Sequence, residues 1–129
     1  MSDSETPEQS ARRQDGYSHV VCVGRLTADP EQRSTSAGTV TNFRLAVNEG
    51  PEPSFFDVVL WEQPARFAAE WLKRGARVLV EGRLRQRRWE REGTAHERVE
   101  IVVRERLIAL GGGRREEGAV ESGSEAGDG

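Results

Sequence analysis

Residues 78 to 89 read VLVEGRLRQRRW, a strict two-residue alternation that commits this stretch to a β-strand with one apolar and one basic face. Val78, Val80, Gly82 and Leu84 fall on one side and are predicted to enter a core. Arg83, Arg85, Arg87 and Trp89 fall on the other, because successive side chains of a strand point oppositely. Three guanidiniums on a rigid strand make a line of phosphate ligands, and an indole at its end offers a π-face on which any base can stack. That combination suits single-stranded nucleic acid. The competing reading is a solvated face whose arginines pair with Glu81, Glu90 and neighbouring carboxylates, and the strand alone does not choose between them.

The net charge of −3 argues against a polyanionic partner only until it is divided along the chain. Residues 1 to 19 hold two arginines against four acids and residues 111 to 129 two against five, whereas the segment between holds fifteen bases against thirteen acids. The acidity is in the ends, and for a polyanion the placement of charge matters more than its sum. With 129 residues the expectation is one domain of ordinary size. Residues 1 to 18 and 111 to 129 have almost nothing to bury, so they are expected to be a disordered leader and a disordered acidic tail around a domain at 19 to 110.

HVVCVGRLT, residues 19 to 27, is the first predicted strand, and its VCVGRL echoes the VLVEGRL that begins at Val78. Gly24 and Gly82 thus sit inside strands, as at the corners of a strongly coiled barrel. Asp29-Pro30 opens a connection read as turn-rich. TVTNFRLAVN then alternates, with Phe43, Leu45 and Val47 on one face and Asn42, Arg44 and Asn48 on the other. After the short acidic loop 48 to 54 comes FFDVVLW, whose Phe55 and Trp61 stand outward if Phe56, Val58 and Leu60 are buried. Packing of both faces is an equal alternative at this point.

Residues 64 to 74 change period, with Phe67 and Trp71, and Ala68 and Leu72, four apart, Pro64 suited to a first turn and Gly75 to the residue past the end, so one short helix is predicted there. Trp71 is expected to pack between helix and sheet. A polar hairpin tip around Gly93 precedes the last strand, RVEIVVRERLIAL. Five strands with a helix between the third and fourth predict an all-β fold, a five-stranded Greek-key barrel of the oligonucleotide/oligosaccharide-binding (OB) type. Cys22 is the single cysteine and is expected to pack rather than react, which suits a reducing cytoplasm. No apolar run reaches the ~20 residues of a membrane span. His19 and His96 look isolated, and no nucleophile-base pair or metal-ligand spacing occurs, so neither an enzyme nor a cofactor or metal is expected.

The stretches VCVGRLTADPEQR, AGTVTNFRLAVN, VVLWEQPARFAAEWLKRGARVLVEGRLRQRRW and the later VEIVV together resemble the bacterial single-stranded DNA-binding proteins over nearly all of residues 19 to 110. The resemblance implies a barrel, usually a homotetramer, that coats single-stranded DNA in replication, recombination and repair without reading its sequence, in a cytoplasmic, nucleoid-associated setting. It assigns stacking to Trp89, Trp61 and Phe55, a basic face to Arg83, Arg85 and Arg87, and outward positions on the second strand to Asn42 and Arg44.

Three departures from that family are visible. A long basic hairpin with a further tryptophan usually joins strands two and three, where only the acidic EGPEPS stands here, so affinity or wrapped length is expected to be reduced. Asp57 lies between Phe55 and Trp61, where a carboxylate repels phosphate. The tail ends GSEAGDG, with the family's acids but without the apolar tip that recruits replication and repair proteins. These departures keep a second reading open, an interaction module on the same barrel, resembling primosomal accessory proteins, with weak nucleic-acid binding.

Overall fold

A computed structural model of the chain describes residues 15–112. The expected leader and tail lie outside the described residues, apart from 15 to 18 and 111 to 112. Six strands and one helix follow in the order β1 (Val20–Leu26), β2 (Glu31–Thr35), β3 (Gly38–Val47), β4 (Ser54–Trp61), α1 (Glu62–Trp71), β5 (Arg77–Arg91) and β6 (Thr94–Gly111). The sheet runs β1-β5-β6-β4-β3-β2. It closes into a barrel where β1 also pairs with β3, Leu26 opposite Leu45, and where β4 and β6 pair in parallel, Val58 opposite Ile101. This is the predicted OB-type barrel with its helix between β4 and β5.

The core is the inward set of each alternation: Phe43, Leu45 and Val47 from β3, Val58 and Leu60 from β4, Val78 and Val80 from β5, Ile101 and Val103 from β6. Removing such apolar area from water is the main favourable term in folding. One end of the barrel is plugged by α1 through Ala65 and Ala68, with Leu72 just beyond it. Small residues let the helix approach closely, and the Thr41 hydroxyl donates to the Ala65 carbonyl at 2.8 Å within the core. Of the two four-apart pairs that the spacing offers, the helix therefore buries Ala68 with Leu72, beside Ala65, and not Phe67 with Trp71. Phe67 is exposed and Trp71 half-buried. It also starts two residues before Pro64, and Gly75, at φ 91, lies in the turn that follows. That turn is stitched to β1, the Gly75 N–H donating to Leu26 O at 2.9 Å and Arg25 to Gly75 O at 2.9 Å.

Both strand glycines are barrel corners. A Cβ on Gly24 would run into the Ala46 carbonyl and one on Gly82 into the Val102 carbonyl, backbone atoms that cannot rotate away. Gly82→Ala should therefore lower stability by about 1–3 kcal/mol, the usual cost of overpacking, read as an earlier thermal midpoint. Gly50→Ala, with open space around it, should leave the midpoint unmoved.

Two strand expectations need correction. The connection read as turn-rich contains β2, which pairs with β3 from Glu31 opposite Asn42 to Thr35 opposite Gly38. Leu84 faces inward as predicted, yet it is 48% exposed. It lies beyond the rim, because β5 and β6 continue past the barrel as a hairpin closed by Glu92 and Gly93. Both turn residues have positive φ, 53 and 79, the form of tight turn that matches strand twist.

Candidate nucleic-acid interface

Strand register gathers the outward side chains into one continuous face. Arg85 lies opposite Glu100, Arg87 opposite Arg98 and Trp89 opposite His96 across β5 and β6. Asp57 lies beside Glu100, and across β3 and β4 the pairs are Arg44 with Asp57, Asn42 with Val59 and Val40 with Trp61. Arg33 on β2, opposite Val40, extends the face by one strand.

At the centre is a groove of about 180 Å³ whose lining includes Arg33, Arg85, Arg87, Arg98, Asn42 and Trp61. Its floor is apolar, since Val40 and Val59 line it and are buried although they belong to the outward set. Four guanidiniums above an apolar floor, with an indole in the wall, accommodate a chain of alternating anions and flat rings. Two carboxylates temper this charge. Glu100, only 7% exposed, faces Arg87, whose Nε donates to its Oε2 at 3.1 Å, and Arg85, whose Nη2 is 3.5 Å from its Oε1. Asp57 pairs with Arg98 at 3.4 Å.

The other predicted residues surround the groove. Phe55 is 47% exposed, with the Arg44 guanidinium 5.3 Å from its ring centre. Trp89 sits on the protruding hairpin, stacked on His96 with ring centres 5.3 Å apart and 17° between planes. The Arg87 guanidinium is 4.2 Å from the indole centre, so the hairpin presents a laminated stack of two rings and a cation rather than a bare tryptophan. Arg83 departs from the prediction. The β5–β6 register slips between Glu81 and Gly82, setting Arg104 and Glu105 in a bulge, and Glu105 takes the Arg83 guanidinium at 2.6 Å. That hydrogen bond holds the Glu105 carboxyl below, and the Arg83 guanidinium above, their ordinary values. Arg83 is thus a structural pair beside Tyr17, not a lining residue of the groove.

Sequence reasoning missed Arg33, His96, Arg98 and Glu100. The last three were within reach, because they alternate with Val99 and Ile101 on the final strand. A two-residue hairpin at Glu92-Gly93 would have placed His96 opposite Trp89. Cys22, half-buried against the core, has its thiol pushed up by burial and by Glu49. Among the described residues no group of three or more His, Cys, Asp or Glu is placed to hold a metal ion, and no helix is long and apolar enough to cross a membrane.

The sequence profile of the Single-strand binding protein family matches residues 17–108. A Single-stranded DNA-binding protein of Treponema pallidum (strain Nichols) is 42% identical over 111 residues, covering 77% of this chain and 63% of that protein. Its namesake from Thermotoga maritima is 40% identical over 84 residues, 57% of this chain and 60% of the relative. That of Mycobacterium leprae (strain TN) is 42% identical over 103 residues, 70% and 61% respectively. The chain spans about three fifths of the length of these relatives.

Proposed function

The chain belongs to the single-strand binding protein family, and from that premise we infer that it binds single-stranded DNA without regard to sequence, coating it during replication, recombination and repair. The observation that carries this reading is the groove itself: Arg33, Arg85, Arg87 and Arg98 over a valine floor, walled by Trp61. Guanidiniums neutralise phosphates, which carry no base information, and rings stack on any base, so the arrangement favours single strands of any sequence. The binding residues are Trp61, Trp89, Phe55, Arg85, Arg87, Arg44 and Asn42, joined by Arg33, Arg98 and His96, while Arg83 acts through the fold. The protein is a binding protein and not an enzyme, works in the cytoplasm with the nucleoid, and carries its DNA-binding domain in residues 19 to 110.

A homo-oligomer, with the tetramer as the form the resemblance implies, is part of this function. One small barrel covers few nucleotides, and several barrels on one polymer make every contact after the first effectively intramolecular. Support comes from the inward face that continues past the rim, where Leu84 lies opposite the core residue Ile101 and Val99 and Phe56 are exposed nearby. Contiguous apolar surface of this kind marks association sites.

The test is a titration with oligo-dT, duplex and RNA followed by tryptophan fluorescence, alongside sedimentation. Quenching by oligo-dT, little by duplex, and a mass above the monomer are expected. A monomer blind to oligo-dT would favour the protein-interaction reading, which draws on Arg83, Arg85 and Arg87 each already facing a carboxylate.

A further inference from the structure

A carboxylate buried in the middle of a phosphate-binding groove needs an explanation, since burial and like charge both count against it. Glu100 has only 8% of its side chain exposed, and Arg85 and Arg87, each 48% exposed, lean on it from β5. Both guanidiniums line the groove. Asp57 is a weaker case, being 27% exposed and paired with Arg98 alone. Glu100 is also under-served, because its Oε1 is shielded from solvent and accepts no hydrogen bond among the described residues. The 3.5 Å approach of Arg85 is ionic contact only.

We propose that Glu100 is an affinity-setting residue, an internal counter-anion that competes with DNA phosphate for Arg85 and Arg87. It rests on the single-strand-binding reading of the groove. The physical argument turns on what each partner can release. Arg87 gives only its Nε to Glu100 and its side chain is half exposed, so a phosphate shares the guanidinium instead of replacing the carboxylate. Glu100 cannot be abandoned by both arginines, because a buried carboxylate without a partner is strongly destabilising. Each phosphate seated at this point therefore lies near a fixed negative charge that it cannot displace. Binding is held weaker, and the strand is released more readily, than the number of arginines alone would give.

Glu100→Gln keeps the shape and the hydrogen-bond acceptor and removes the charge. It should bind oligo-dT about three- to tenfold more tightly at low salt, the size expected of one charge a few ångströms from phosphate in a partly solvated groove. Its log-log salt slope should steepen by about 0.7, as though one more phosphate were neutralised. Unchanged or weaker binding with an unchanged slope, in a variant that still melts cooperatively, would mean that Glu100 only fixes the arginines, and the proposal would fall. Should the variant not fold, the intact protein carrying ¹³C-carboxyl glutamate decides. The Glu100 resonance should move on saturation with oligo-dT as its guanidiniums become shared, and a stationary signal overturns the proposal. If the unaltered protein does not bind oligo-dT at all, the functional reading falls and takes this one with it. If it binds and only the Glu100 results fail, the functional reading stands.

Discussion

Raising salt tenfold should weaken oligo-dT binding by about a hundred- to a thousandfold, because three or four phosphates neutralised per protomer, at roughly −0.7 per contact, give a log-log slope of about −2 to −3. The cations responsible are those of the groove, Arg33, Arg85, Arg87 and Arg98, and not all of the arginines on β5. Arg87→Ala should flatten the slope by about 0.7 and weaken every sequence alike. Arg83→Ala should leave the slope nearly unchanged and act on stability, because its guanidinium is already spent on Glu105 in the bulge. Fluorescence titrations at several salt concentrations measure both slopes. A slope near zero would mean that the arginine face does not meet phosphate. The acidic loop between β3 and β4 adds no cation to this account, so a relative with a basic hairpin there should show a steeper dependence.

Trp61→Ala and Trp89→Ala should each weaken binding by about 5- to 150-fold, the equivalent of the 1–3 kcal/mol that stacking one base contributes. The two indoles reach that result differently. Trp61 stands half-buried in the wall of the groove, opposite Val40, and its loss would also uncover part of the valine floor. Trp89 is also half-buried, but on the hairpin, where His96 and Arg87 pack against its ring, so a base must add to that stack or replace one of its layers. The histidine should accordingly report on DNA, its ring resonances shifting on titration. Trp71→Phe is the control, since Trp71 lies at the end of α1, away from the groove, and should move the melting midpoint without changing affinity. Unaltered affinity in both alanine variants would remove stacking from the mechanism.

The barrel was legible because alternation is a property of single strands that survives without knowledge of their partners. Phe43, Leu45, Val78 and Val80 are placed inward by spacing alone, and inward is where they lie; of the set Phe56, Val58 and Leu60, for which spacing leaves two readings open, Val58 and Leu60 are buried and Phe56 is exposed. β2 escaped because Glu31 to Thr35 has no apolar residue to alternate. Its pairing with β3 is made by backbone hydrogen bonds at an edge, which composition does not record. Arg83 was misplaced for a related reason. The bulge that delivers Glu105 to it belongs to the pairing of two strands, and neither strand carries its signature alone. Leu84 was given the correct face and the wrong environment, because alternation says which way a side chain points and nothing about where the barrel ends. Val40 and Val59 in the groove, with Val102 paired beside Val59, are the opposite case, an outward set that is nonetheless buried.

The closure of the barrel also divides its seams into those made locally and those that need a long loop closed. The β5–β6 hairpin turns on two residues and can zip locally, and the β3–β4 pair closes over the short loop that ends where Val47 meets Ser54. The β2–β3 pair is as local, Thr35 opposite Gly38, whereas other seams join residues distant in the chain: Val20 with Gly82, Asp57 with Glu100. Each requires a long loop to be closed before any contact rewards it, which is what slows β-rich folds relative to helical ones. Both faces of the groove, β5–β6 on one side and β3–β4 on the other, can thus exist as separate hairpins before they meet. The seam between β4 and β6, where Asp57 lies beside Glu100, is what brings them together. Without that parallel pairing the arginines of β5–β6 and the aromatics of β3–β4 would stand on pieces not aligned with each other, and the groove would not exist.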